Sequence, residues 1–197
     1  MPDSLPDYRH LSYLRTGTPR QRQTVDILEA ASVFDLLRAY SPCLVGTIPL
    51  DIDISESDAD IICNVSNHQA FRQDIERGFR HYPDFSIWTS EKQNLKATVA
   101  SFSLRSKDIP TLRVEIFGQA LSVERQNAYR HLMVEARLLA LAGNHAKSSI
   151  RLLKLQGIKT EPAFAQYFGI KGEPYKVLAE LYEQSDEALT NIVKNCQ

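Results

Sequence analysis

The stretch from Leu44 to Cys63, LVGTIPLDIDISESDADIIC, constrains the fold more than any other part of the chain. A short apolar run breaks at Gly46-Thr47, passes through a loop rich in Asp and Ser, and resumes as a second apolar run headed by Asp58 and Asp60. Side chains alternate along a strand, so two carboxylates one residue apart point to the same face. Adjacent carboxylates repel each other unless a cation sits between them. The stretch therefore reads as a strand, a turn able to hold a phosphate, and a second strand that opens on a divalent-metal platform.

The elements around it follow from periodicity. Thr18-Pro19 is a helix start, and Val25, Leu28, Ala31, Phe34 and Leu36 or Leu37 recur at helical spacing to about Tyr40, where Ser41-Pro42 ends the helix. Before it, a short helical turn is expected around Tyr8 to Leu14, and Cys43 to Val45 is the first strand. Asn67 is an N-cap signal, and Phe71, Ile75 and Phe79 give a helix over about 67–81. Phe85 to Thr89 reads as a strand, Glu91 to Asn94 as a polar turn, Leu95 to Leu104 as a longer strand, and Ser106 to Pro110 as a turn. In Thr111 to Phe117, Leu112, Val114 and Ile116 share one face and Arg113, Glu115 and Phe117 the other.

From Ser122 onward only helix signals occur. Helices are expected over about 122–142 and 145–156, then from Thr160 as the cap, from Pro174, and after Ser185. Gly143, Gly157 and Gly169 follow the first three. The fold class is thus α+β: a mixed β-sheet with flanking helices over residues 1–120, followed by a helical bundle over 121–197.

Composition narrows the function classes. The net charge of -1 over 197 residues argues against a general nucleic-acid-coating protein. Cys43, Cys63 and Cys196 have no CxxC spacing, and two lie in apolar runs as buried thiols. The N-terminus MPDSLPDYRH carries acids and prolines where a secretory signal is basic and then apolar, and no run approaches a membrane span. The expectation is a cytoplasmic protein with no membrane partner.

The chemistry rests on carboxylates with apolar flanks. Ala59 and Ile61 surround the aspartate pair, and Val114 and Ile116 surround Glu115. If their strands pair side by side, the three acids converge on one face, an arrangement for one or two Mg²⁺ ions and in-line phosphoryl or nucleotidyl transfer. Gly46 lets backbone approach a phosphate, and the Thr47 hydroxyl can donate to it. A second Asp-x-Asp, Asp51 and Asp53, either forms an extra extended segment or joins the site. The run DIDISESDADI mimics a calcium loop, but Glu56 and Ile62 stand where its glycine and bidentate glutamate belong.

Val45-Gly46-Thr47, a ten-residue gap, and Asp58-Ala59-Asp60-Ile61 resemble the signature of the nucleotidyltransferase superfamily of the DNA polymerase β type. The gap length selects Asp58 and Asp60 over Asp51 and Asp53. The resemblance implies that Asp58 and Asp60 bind Mg²⁺ or Mn²⁺. It also implies that Glu115 completes the metal site or activates the attacking hydroxyl, and that Gly46 and Thr47 contact a nucleoside triphosphate. It makes Lys154 the preferred basic contact near the triphosphate and gives the helical part a role in holding the nucleotide. The implied activity moves a nucleoside monophosphate to an acceptor that is a small molecule, a protein or RNA. The alternative is a non-catalytic nucleotide-binding or regulatory module on the same fold, working with a protein partner. The pattern GTIPLDIDISESDADI, with KTEPAFA and GEPY, also resembles a small bacterial family of unknown function within this superfamily.

Other residues read more plainly. Lys147, Arg151 and Lys154 share a helical face that is expected to be solvated as a whole. Trp88 is expected in the core, Tyr167 and Tyr175 in packing, and His68, His81 and His145 at the surface.

Overall fold

The computed structural model describes residues 5–92, 95–105 and 111–196. The expected turn over 106–110 lies outside them, as do 93 and 94 of the turn expected before Leu95. The chain forms two compact units. One comprises Asp7–Pro49 with Ser57–Gln126, and the other joins Leu50–Glu56 to the chain from Asn127 onward.

In the first unit the strands are β1 (Cys43–Val45), β2 (Ala59–Asn64), β3 (Ser86–Lys92), β4 (Leu95–Leu104) and β5 (Leu112–Gln119). They form a five-stranded sheet in the order β1-β2-β5-β4-β3. The β2–β5 pair is parallel and the others are antiparallel. β3 runs further than expected, through Lys92, because Glu91 stands opposite Lys96 in the ladder and opposite charges favour pairing there.

The sheet has two different faces. Leu44, Ala59, Ile61, Cys63, Ala100, Phe102, Leu104, Leu112, Val114 and Ile116 join one buried core. The helices α1 (Pro19–Ala30), α2 (Val33–Leu36) and α3 (His68–Phe79) supply Val25, Leu28, Val33, Phe71, Ile75 and Phe79 to it. Phe79 stacks on Phe102 at 4.8 Å between centroids. Thr18 and Gln21 form a capping box on α1, and the Asn67 side chain accepts from the Gln69 and Ala70 amides to cap α3. The alternate residues of β2 and β5, including Asp60 and Glu115, point to the other face.

The helical turn expected around Tyr8 to Leu14 is present as a 3-10 helix over Leu11–Thr16. The departure follows it: the single helix expected to Tyr40 is broken. Ser32 turns left-handed at φ 53, and α2 starts afresh. The break brings Val33 and Leu37 into the core and leaves Leu36 exposed.

The second unit holds α4 (Asn127–Ala142), α5 (Asn144–Leu155), α6 (Thr160–Phe168), α7 (Pro174–Leu181) and α8 (Asp186–Lys194). The expected helix from 122 is instead a 3-10 turn at Val123–Arg125 and an extended Gln126 before α4. Gln126 leaves the helical path because its side chain reaches the carbonyls of Cys63 and Leu121. Thr160 is the first residue of α6 rather than its cap. Lys159 holds the cap position and makes no side-chain cap bond.

His131 of α4 ties this unit together. Its Nε2 donates to the Tyr175 carbonyl at 2.8 Å, and its Nδ1 lies 3.1 Å from Glu161 Oε1. Arg137 donates to the Gln184 carbonyl at 2.6 Å and to Asp186 at 2.9 Å, fixing the start of α8. Among the described residues no helix is long and apolar enough to cross a membrane.

Glu135, one turn after His131, is 2% exposed. Burial raises its pKa well above the ordinary carboxylate range. Nearby Glu161 adds to the rise and Lys154 opposes it. An acid whose folded pKa is raised holds a proton that the unfolded chain releases. It therefore subtracts stability as pH climbs from the unfolded value towards the folded one. Glu135→Gln keeps the shape and removes the titration. It is expected to raise the melting temperature at about pH 8 and to leave it unchanged at about pH 4, read from thermal unfolding at both.

Candidate functional site

The site is built where β1 ends and β2 begins. Val45 pairs with Asp60, so Gly46 leaves the strand beside that aspartate. Gly46 has φ +78, and a Cβ placed on it would lie 2.5 Å from Asp60 Oδ2. The carboxylate thus rests against the bare α-carbon, an approach open only to glycine.

The β2–β5 register sets Asp60 opposite Glu115. Ladder partners share a face, so the two carboxylates stand side by side, both half-buried. The row continues across the sheet through Ser101 and Ser86, whose hydroxyls lie 3.0 Å apart. One step beyond the ladder, Asp58 Oδ2 lies 3.7 Å from the Arg113 guanidinium. Among the described residues no three His, Cys, Asp or Glu side chains are grouped closely enough to hold a metal ion between them.

Thr47 follows the glycine and is 8% exposed. Its hydroxyl donates to Ser57 Oγ at 3.2 Å, so the two ends of the loop meet just before Asp58. The first turn of α1 holds the same loop ends. Buried Gln21 donates through Nε2 to the Ile48 carbonyl at 2.9 Å and the Pro49 carbonyl at 3.2 Å. Arg20 reaches the Ser57 carbonyl at 3.5 Å.

The expected site residues therefore divide. Gly46, Thr47, Asp58, Asp60 and Glu115 lie together in the sheet unit. Lys154 belongs to the helical unit, where it is 8% exposed and donates to the Ile52 carbonyl at 3.1 Å. The expected solvated stripe on α5 is not solvated as a whole. Lys147 and Arg151 pair with Asp51 at 3.4 and 3.1 Å, and the cations bind the Leu50–Glu56 segment of their own unit. That segment is no extended strand: Asp51 sits at the end of a turn with φ 56.

Two contributors escaped the sequence. Arg113 was visible only as a residue on the face of Glu115. Once Asp60 is set opposite Glu115, the same register sends Arg113 to Asp58. Gln21 drew no reading from the sequence, because nothing local signals its long-range bonds. Trp88 corrects the reverse error: it is 39% exposed, because its ladder position puts it on the face opposite the main core. Tyr167 packs edge-on against Phe168 at 4.8 Å, whereas Tyr175 is 44% exposed.

Comparison with known proteins places this geometry in a family. Residues 26–181 match the family described as "Domain of unknown function (DUF4269)". The chain belongs to the DUF4269 family. No curated protein matches this DUF4269 chain. Its fold is similar to a crystal structure of the Cid1 poly(U) polymerase with MgGTP bound. That match has a TM-score of 0.51 at 10% identity and covers 81% of this chain and 47% of the other. A second crystal structure of that polymerase, with Mg 3'-dATP bound, matches at a TM-score of 0.48 and 10% identity, covering 85% and 52%. This DUF4269 chain spans about half the length of those structures. The fold is a nucleotidyltransferase-like mixed sheet with flanking helices, followed by helices.

Proposed function

We propose that this protein is a metal-dependent nucleotidyltransferase. It moves a nucleoside monophosphate from a nucleoside triphosphate to an acceptor hydroxyl and releases pyrophosphate. The observation that carries this reading is the packing of Asp60 against the α-carbon of a positive-φ glycine while it stands in register with Glu115. A positive-φ glycine turn and two acids from separate strands meet at one place. The likeness of the fold to a polymerase structure holding MgGTP supports it.

The donor set fits a hard divalent cation. Asp60 and Glu115, set in register, offer only oxygen, and Mg²⁺ uses one or two carboxylates and completes its shell with water and substrate phosphates. Side-by-side carboxylates repel, and a cation between them relieves the repulsion. When bound, Mg²⁺ or Mn²⁺ supplies positive charge to the triphosphate oxygens.

The protein's own groups do the rest. Gly46 makes room for the Asp60 carboxylate, and backbone N–H groups of the turn donate to a phosphate. The Thr47 hydroxyl can turn from Ser57 to a phosphate oxygen. Glu115 accepts the proton of the acceptor hydroxyl, whose oxygen bonds the α-phosphorus as the bond to pyrophosphate breaks.

A second reading, a nucleotide-binding or regulatory module without turnover, is favoured by one observation. The Arg113 guanidinium stands 3.7 Å from Asp58 Oδ2. Incubation with each labelled nucleoside triphosphate, Mg²⁺ or Mn²⁺ and cell extract separates the two. The enzyme reading expects label on a protein, an RNA or a small molecule, absent with Asp58→Ala/Asp60→Ala. The module reading expects binding with no transfer.

A further inference from the structure

We propose that Arg151 is a positioning residue for the site, acting through the Leu50–Glu56 segment that it holds. This rests on the nucleotidyltransferase reading above. The segment packs with the helical unit, yet it is covalently threaded between the halves of the motif. Leu50 follows Thr47 by three residues, and Glu56 precedes Asp58 by two.

The hold is built from one face of α5. Arg151 Nη2 donates to the Asp51 carbonyl at 2.5 Å and to Asp51 Oδ1 at 3.1 Å. Its Nε donates to the Asp53 carbonyl at 3.1 Å. Lys147 reaches Asp51 Oδ2 at 3.4 Å, and Lys154 the Ile52 carbonyl at 3.1 Å. Three successive carbonyls are thus caught by side-chain cations. Hydrogen bonds of this charge-assisted kind are roughly twice as strong as neutral ones. Asp51 is held left-handed at φ 56, a conformation a non-glycine residue keeps only where its surroundings enforce it. The planar fork of Arg151 matches a carbonyl, a carboxylate and a second carbonyl at once, which a lysine cannot do.

A segment fixed in this way limits where Thr47 and Asp58 can go. Released, it leaves its ends to the Thr47–Ser57, Gln21 and Arg20 bonds, and apparent affinity falls with the competent fraction.

The test is hydrogen exchange together with triphosphate affinity and kinetics on the full chain. In Arg151→Ala, amides over 50–60 are expected to exchange about tenfold faster or more, with Kd and KM for MgATP raised about tenfold and kcat within about threefold. Arg151→Lys recovers part of the effect. Asp51→Asn, which leaves α5 intact and still tolerates a left-handed backbone, shifts both readouts the same way.

Native-like exchange in Arg151→Ala and Asp51→Asn would overturn the proposal. So would faster exchange with native Kd and KM, since a merely structural contact behaves like that. If the native protein binds no triphosphate, the nucleotidyltransferase reading falls. The positioning proposal is then decided by exchange at 57–60 alone: faster in both variants upholds it, unchanged overturns it.

Discussion

Asp60→Asn is expected to lower kcat/KM for nucleotidyl transfer by about 10³-fold, on the order of 4 kcal/mol of transition-state stabilisation, with little change in melting temperature. The substitution removes a charge and keeps the shape. Asn fills the space over the Gly46 α-carbon and leaves the β1–β2 and β2–β5 ladders intact. The native site sets Asp60 beside Glu115. Removing one of two adjacent like charges does not cost folding stability when no cation is present. A large activity loss at constant melting temperature therefore separates a role in binding and catalysis from a role in the fold. Asp58→Asn is expected to cost less activity, because Arg113 already draws on that carboxylate. Steady-state kinetics and calorimetric unfolding on the two variants check both statements.

Gly46→Ala is expected to lower stability by about 2–4 kcal/mol and to remove triphosphate binding as well. Two separate effects add. The φ of +78 costs an L-residue about 1–2 kcal/mol. The new methyl would stand 2.5 Å from Asp60 Oδ2, so the carboxylate must shift from its present position. Gly157 provides the control. It has φ +86 with nothing within 4 Å of an added Cβ. Gly157→Ala should therefore carry the backbone cost alone, about 1–2 kcal/mol, and leave nucleotide binding intact. Thermal unfolding of both variants isolates the contact between glycine and aspartate from ordinary left-handed strain.

The sheet was legible wherever local alternation was clean. Leu112, Val114 and Ile116 alternate with Arg113, Glu115 and Phe117, and burial follows that pattern through β5. The register of Asp60 was legible for the same reason, since its apolar neighbours fix the strand, whereas Asp58 lies one residue before that strand begins. Breaks in local order were harder to read. Ser32 and Asp51 adopt left-handed backbone without the glycine that would announce it. Contacts distant in sequence left no trace at all. Arg151 reads as one member of a polar helical stripe. Its partners, Asp51 and Asp53, lie about a hundred residues earlier and read as a spare carboxylate pair. Arg113 and Asp58 are likewise ordinary charges until strand register sets them face to face. Trp88 failed for a related reason. Aromatic residues favour strands, but a strand of one sheet has two faces, and composition does not say which one a given residue takes.

The most direct test of the account is calorimetric titration of the native protein and of Asp58→Ala/Asp60→Ala with nucleoside triphosphate, each with and without Mg²⁺. The account predicts saturable binding to the native protein that requires the metal and disappears in the double variant. A native protein that binds no triphosphate in a metal-dependent way, or a double variant that binds as the native protein does, would contradict it.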